Sequence, residues 1–186
     1  MRKILIVSPK NLLSLPFEGA QKRIGDVSKF LSKKNKIDLI CIGKKPSKNK
    51  NDLRHFNDVK VFKINFYSRV LNMIISLFKL EPLQNGYFFS KEMSEYINQN
   101  KDNYDVIIFN IIRSAQYLPN KFRGKAILDI ADLASVNYEQ TIKNLSFFNP
   151  LKYLYFLENI LVKRYEKKIL NDFDKIVLVS KKELDI

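Results

Sequence analysis

The stretch KILIVSPKNLLSLPFEGAQKR, residues 3–23, sets the class of fold. Its first six residues, Lys3 to Ser8, form a continuous apolar run rich in Ile and Val, closed by Ser8-Pro9, as expected of a strand buried on both faces. A polar loop follows. From about Ala20 to Lys33 the apolar positions Ile24, Val27, Phe30 and Leu31 recur at helical spacing with cations on the other face. Gly19, Lys22 and Arg23 therefore stand at a strand-to-helix corner. Backbone N–H groups at such a helix start point toward an anion, and a glycine lets it approach. The alternative for Gly19 is a turn that requires positive φ.

The same alternation continues along the chain. IDLICIG (37–43), VKVFKINF (59–66), YDVIIFN (104–110), GKAILDIAD (124–132) and FDKIVLVS (173–180) read as five further strands. Residues 68–80 and 88–100 read as helices divided by EPLQNG, where Pro82 and Gly86 stop helical continuation. A long helical region spans about 137–172, with a break at Asn149-Pro150, and KKPSKNKNDLRHFND is a basic polar loop. Near-continuous apolar strands alternating with helices predict an α/β fold, a Rossmann-like parallel sheet with helices on both faces. In such a sheet the ligand crevice lies outside the carboxyl ends of the strands, where strand order reverses. That rule gathers Ser8 through Arg23, Asn110 and Arg113, Asp129 and Asp132, and Ser180 and Lys181 on one rim.

Composition narrows the chemistry. At 186 residues with 46% hydrophobic and 12% aromatic content, the chain is long enough for one folded domain. The single Cys41 lies inside an apolar run and reads as a core residue, which excludes an intramolecular disulfide and a cysteine metal cluster. With His55 the only histidine, read as exposed in a polar loop, a zinc site and a Cys–His nucleophile pair lack ligands, so no metal is expected. The N-terminal run ILIV is too short for a secretory segment, and VLNMIISLFKL and LKYLYFLENILV are interrupted before the roughly 20 residues needed to cross a bilayer. A cytoplasmic location is expected, with peripheral contact on the inner face of the membrane left open.

The formal net charge is +14, of which residues 1–60 carry +10. Such a face attracts nucleic acid, anionic lipid or phosphorylated substrates alike. Lys outnumbers Arg by 26 to 7 and Asn and Ile are abundant, the composition an AT-rich genome produces, so charge alone selects no partner. Nucleic acid ranks below lipid, since no helix-turn-helix, zinc or RNA-stacking signature is present. Only one glycine follows the first strand, where a dinucleotide fingerprint needs three, and the P-loop ending is missing, so NAD, FAD and nucleoside-triphosphate hydrolysis are disfavoured. Asp129 and Asp132 in LDIADLAS suit a site, and Asp132 equally suits a cap on the following helix. Arg113 suits a bidentate clamp on phosphate or carboxylate, or a surface ion pair. ENILVKRYEKKIL reads as a charged helix without chemistry.

Taken in order, KILIVSP, LPFEGAQKR, EPLQNGYFFS before YDVIIFNIIRSAQYL, LDIADLASVNYEQ and LENILVKRYEKKILNDFDKIVLVSKKE resemble the N-terminal half of a GT-B fold glycosyltransferase. The likeness is to the family 4-like group that builds bacterial surface polysaccharides, and it runs through the whole chain. Glu18 stands where that group commonly carries the first of two glycines. The resemblance implies that residues 1–186 are a Rossmann-like acceptor-side domain, that a C-terminal donor-binding domain is absent, and that the chain is inactive alone. It implies transfer of a sugar from a nucleotide-sugar donor to a lipid-linked or saccharide acceptor, with retention at the anomeric carbon and neither metal nor cofactor. By that likeness Gly19 admits the donor diphosphate, Lys22 and Arg23 favour its charge, Arg113 and Asp132 face the acceptor with Asp132 contacting its hydroxyl, and Asp129 belongs to the same substrate rim. The alternative is a non-catalytic basic module for anionic membrane surfaces or nucleotide-sugars. The aromatic-rich segments around 66–80 and 147–162 suit an anionic membrane surface, but burial in the core is the favoured reading of their apolar faces.

Overall fold

A computed structural model describes residues 1–12, 19–43, 54–130 and 133–178, the side chain of Ala20 excepted. Six parallel strands form one sheet in the order β3-β2-β1-β4-β5-β6, with β1 Lys3–Ser8, β2 Lys36–Ile42, β3 Asp58–Phe62, β4 Val106–Asn110, β5 Lys125–Ile130 and β6 Lys175–Leu178. The chain is a Rossmann-like α/β fold. Period-two alternation along each central strand builds two cores. On one face Ile4, Ile6, Val106 and Ile108 pack with Ile24 of α1 (Gly19–Leu31). On the other, Leu5, Val7, Ile107 and Phe109 pack with Met93 and Ile97 of α4 (Lys91–Asn100) and with Tyr165 and Ile169 of α6 (Pro150–Ile169).

The connections explain the sidedness. β1 crosses to β2 through α1, and β3 crosses back over the sheet to β4 through α2 (Phe66–Phe78), α3 (Leu83–Tyr87) and α4. β5 reaches β6 through α5 (Ala134–Asn144) and α6. Right-handed crossovers running in opposite directions must lie on opposite faces. The strand order therefore reverses between β1 and β4, which pair in register from Ile4 with Val106 to Val7 with Phe109. The switch-point rule places the ligand crevice above their carboxyl ends.

Two local expectations change and a third holds. The third strand ends at Phe62 rather than continuing to Phe66, because the Asn65 side chain accepts a hydrogen bond from Ser68 N at 2.7 Å and starts α2 there. The expected break at EPLQNG is itself the short helix α3: Pro82 precedes its first turn, and Gly86 sits where a Cβ would lie 2.4 Å from the Asn72 carbonyl oxygen of α2. Glycine is required by this close approach. The long helical region does break before Pro150, where Asn149 accepts from Leu151 N at 3.0 Å.

The largest correction concerns the aromatic-rich helices, whose apolar faces point outward. In α2 the buried side is polar: Ser76 is buried, Asn72 Nδ2 donates to Phe89 O at 3.0 Å, and Arg69 Nη1 donates to Tyr87 O at 3.1 Å. Phe66, Tyr67, Val70, Leu71, Ile74, Leu77 and Phe78 are exposed. The first half of α6 does the same, burying Glu158 and Asn159 while exposing Tyr153, Leu154, Phe156, Leu157 and Ile160. Its second half reverts to the usual polarity, with Leu161, Val162, Tyr165 and Ile169 inward.

Candidate functional site

Ser8 closes β1 and Asn110 closes β4, and both side chains are buried. Asn110 Nδ2 donates to Ser8 Oγ at 3.2 Å, and Lys10 N donates to the same oxygen at 3.4 Å. This polar bridge forms the floor of the crevice, where both flanking strands would otherwise end in hydrocarbon. Asn11 then folds over the end of β2, against Gly43, where a Cβ would stand 2.7 Å from Asn11 Cβ. Its carbonyl accepts from Gln21 Nε2 at 2.7 Å, which fixes the entry of the loop relative to α1.

Arg23 and Asp129 form one wall. Arg23 Nη2 lies 2.7 Å from Asp129 Oδ1, with side-chain exposures of 27% and 9%. Arg23 Nη1 is buried and has no hydrogen-bond partner among the described residues. Burial raises the Asp129 carboxyl above the ordinary carboxylate range, and the Arg23 guanidinium offsets this in part. A guanidinium with a donor that no described residue takes up, on the second turn of α1, is suited to an anionic oxygen.

The backbone is strained at the same edge. Ile111, the residue after β4, adopts φ 59° and ψ 155°, a region used in effect only by glycine. Its N–H donates to Asp129 O at 2.8 Å, tying the exit of β4 to that of β5. A β-branched residue held there costs on the order of 1–3 kcal/mol, and such strain clusters at binding and catalytic sites.

The expected site residues separate into groups. Arg23 and Asp129 are brought together. Gly19 is the first residue of α1 and lies outside the positive-φ region, so the turn reading gives way, and among the described residues a Cβ there would meet nothing within 4 Å. Lys22 points to solvent beside the inward Arg23, one helical position away. Asp132, Ser180 and Lys181 lie outside the described residues, as does Glu18. The residue at the N-cap position of α5 is Leu133, whose side chain makes no cap; Ser135 N donates instead to Glu166 Oε1 at 3.2 Å.

Arg113 begins near the rim, in the 3-10 turn Ile112–Tyr117, but its guanidinium turns toward α3 and α6. Arg113 Nε donates to Gln84 Oε1 and the group lies 5.2 Å from the Phe88 ring centroid. Behind it, the buried Glu158 accepts from Leu83 N at 2.8 Å and Gln84 N at 3.0 Å, holding the start of α3 from 75 residues away in sequence. Burial raises the Glu158 carboxyl despite these two donors and the nearby Arg113 charge. The helix read as charged and without chemistry thus carries two structural carboxylates, Glu158 and Glu166.

His55, expected to be exposed, is half-buried with Nε2 2.8 Å from Ser28 Oγ. Cys41 is buried as expected, and burial pushes its thiol up to about 12. Among the described residues no group of three His, Cys, Asp or Glu could hold a metal ion. No helix of the described residues is long and apolar enough to cross a membrane. A separate cleft of about 800 Å3 lies toward the other edge of the sheet, lined in part by Gly124, Ala126, Tyr165 and Asp174. It borders the amino ends of β5 and β6, the edge the switch-point rule disfavours. Compared with protein-family models and with curated proteins, the sequence matches none.

Proposed function

We propose that this chain is the acceptor-side half of a GT-B glycosyltransferase, which moves a sugar from a nucleotide-sugar to a lipid-linked or saccharide acceptor in surface polysaccharide synthesis. The Rossmann-like fold is compatible with nucleotide and sugar binding in general. The specific reading leans on the ordered sequence resemblance and on one feature of the crevice, the buried Arg23 Nη1 beside Asp129, which has no partner among the described residues. In this reading Arg23 takes a phosphate oxygen, Gly19 leaves room for it, and Asn110 and Ser8 shape the floor. Arg113 orders the α3–α6 wall on the acceptor side. Asp132 contacts the acceptor hydroxyl and takes its proton as the anomeric carbon's bond to the departing nucleoside diphosphate breaks and its bond to the acceptor oxygen forms. In enzymes of this fold a second Rossmann-like domain supplies most of the nucleotide contacts.

Calorimetric titration of the chain with UDP-glucose, UDP and a short-chain prenyl diphosphate-linked sugar tests the reading. The diphosphate-linked acceptor analogue should bind more tightly than UDP-glucose, and Arg23→Ala should weaken binding of UDP by about tenfold or more, the worth of one charge-assisted hydrogen bond. Equal affinity in the folded Arg23→Ala variant would remove the basis of the proposal.

A further inference from the structure

Toward the amino ends of β5 and β6, the cleft of about 800 Å3 is walled by the C-terminal half of α2, the segment 119–124 and the last turns of α6. The buried Ala115, Ala126 and Ile169 give it an apolar base. A smaller cleft of about 410 Å3 shares Lys121, Phe122 and Gly124 with it, so the two form one elongated groove. Phe122 stands at the junction, half-buried. A Cβ on Gly124 would lie 2.4 Å from Phe122 Cζ and 2.6 Å from the Asp105 carbonyl oxygen, so glycine lets the ring settle against the start of β5. Both lips carry left-handed residues other than glycine, Leu80 at φ 54° between Lys79 and Glu81, and Lys121 at φ 55°. The left-handed region is uncommon for residues with a Cβ, and residues held there cluster at ligand-binding sites.

The chemistry of the lining identifies the ligand. Three cations, Lys79, Lys121 and Lys168, and three carboxylates, Glu81, Asp172 and Asp174, surround the larger cleft. Lys168 pairs with Glu81 at 3.9 Å, and Asp174 pairs with Lys125 at 2.8 Å while accepting from Ala126 N at 2.9 Å. The side chains of Lys79, Lys121 and Asp172 make no hydrogen bond or ion pair among the described residues. An anion entering the groove meets the carboxylates, and a cation meets the ammonium groups. Hydroxyl groups both donate and accept, so a neutral polyhydroxylated ligand satisfies side chains of both signs. A pyranose also presents a C–H face that stacks on an aromatic ring, which matches Phe122, and the cleft is of the size usual for small-molecule sites. We propose that the groove binds a neutral oligosaccharide, with a pyranose stacked on Phe122 and its hydroxyls held by Asp172, Lys79 and Lys121. The groove lies at the opposite ends of the strands from the Arg23–Asp129 wall, and this site stands whether or not sugar is transferred there.

Amide chemical-shift mapping of the full chain with maltotriose, cellotriose and tri-N-acetylchitotriose provides the test. Stacking reads the C–H face that pyranoses share, so at least one of these sugars should give saturable shifts centred on Gln116, Phe122, Gly124 and Asp172, with a Kd on the order of 1 mM. Phe122→Leu, which keeps an apolar side chain against the core, should weaken binding by about fivefold or more, and Asp172→Asn by about threefold or more. Asp172 is exposed, so unchanged thermal unfolding of Asp172→Asn will separate lost binding from lost folding. Absence of saturable shifts with all three sugars, shifts centred instead on Ser8, Arg23 and Asn110, or groove shifts that persist unchanged in both variants overturns the proposal. So do equal groove shifts with inorganic phosphate, because the groove would then be selecting anions.

Discussion

Replacing Asp129 by Asn tests whether the crevice wall is a true buried ion pair. The change keeps the side-chain shape and removes the charge facing Arg23 Nη2 at 2.7 Å. Removing one partner of a buried pair costs about 3–5 kcal/mol, because the other charge is left without compensation. Arg23 keeps 27% of its side-chain exposure, so water recovers part of that penalty, and the expected loss is about 2–3 kcal/mol. For a chain of this length that lowers Tm by about 6–10 °C, measurable by circular dichroism at pH 7. Arg23→Ala gives a second reading of the same pair. It leaves the buried Asp129 carboxyl, already raised in the folded state, without its cation. A carboxyl whose folded value lies above its unfolded value destabilises the protein once it ionises, so the loss in Arg23→Ala should shrink as pH falls through that folded value. In Asp129→Asn no carboxyl remains, and the loss should show no such recovery. A Tm change below about 2 °C in Asp129→Asn, or the same acid recovery in both variants, would refute the pairing.

Other consequences follow from single residues. Ile111→Gly should raise stability by about 1 kcal/mol, since relief of the strain outweighs the added freedom of glycine in the unfolded chain; a urea midpoint lowered by the change would argue against strain there. Glu158→Ala removes two charge-assisted hydrogen bonds to the start of α3 and should cost about 3 kcal/mol by urea unfolding, with Glu158→Gln costing less. Because Glu158 is raised on folding, wild-type stability should fall as pH rises from 4.5 through its folded value, and Glu158→Gln should flatten that slope. Cys41 should resist thiol reagents at pH 8 until the protein unfolds, as its thiol is fully buried and raised to about 12; rapid labelling of native protein would contradict this.

The sheet was legible because its strands state their environment twice. Runs such as ILIV (4–7) and VIIF (106–109) are apolar at every position, as burial on both faces requires, and the helices between the strands impose parallel pairing. The direction in which α2 faces was not legible. A helical period in FYSRVLNMIISLF shows that two faces differ, but which one meets the protein depends on acceptors at Tyr87 and Phe89 supplied by a later segment. Pro82 and Gly86 were read as breakers because the need for close approach to Asn72 is visible only in three dimensions. The same limit hid Glu158, whose partners are 74 and 75 residues distant. At the rim, the strand-end rule selected both Arg23 and Asp129, while the strain at Ile111 leaves no mark in residue types.

The central claim, that the crevice between β1 and β4 is where an anionic ligand binds, is tested most directly by amide chemical-shift mapping with UDP. The account predicts saturable shifts centred on Ser8, Gly19, Arg23, Asn110, Ile111 and Asp129. Shifts centred instead on Gly124, Ala126 and Tyr165, at the cleft toward the opposite edge of the sheet, would contradict it.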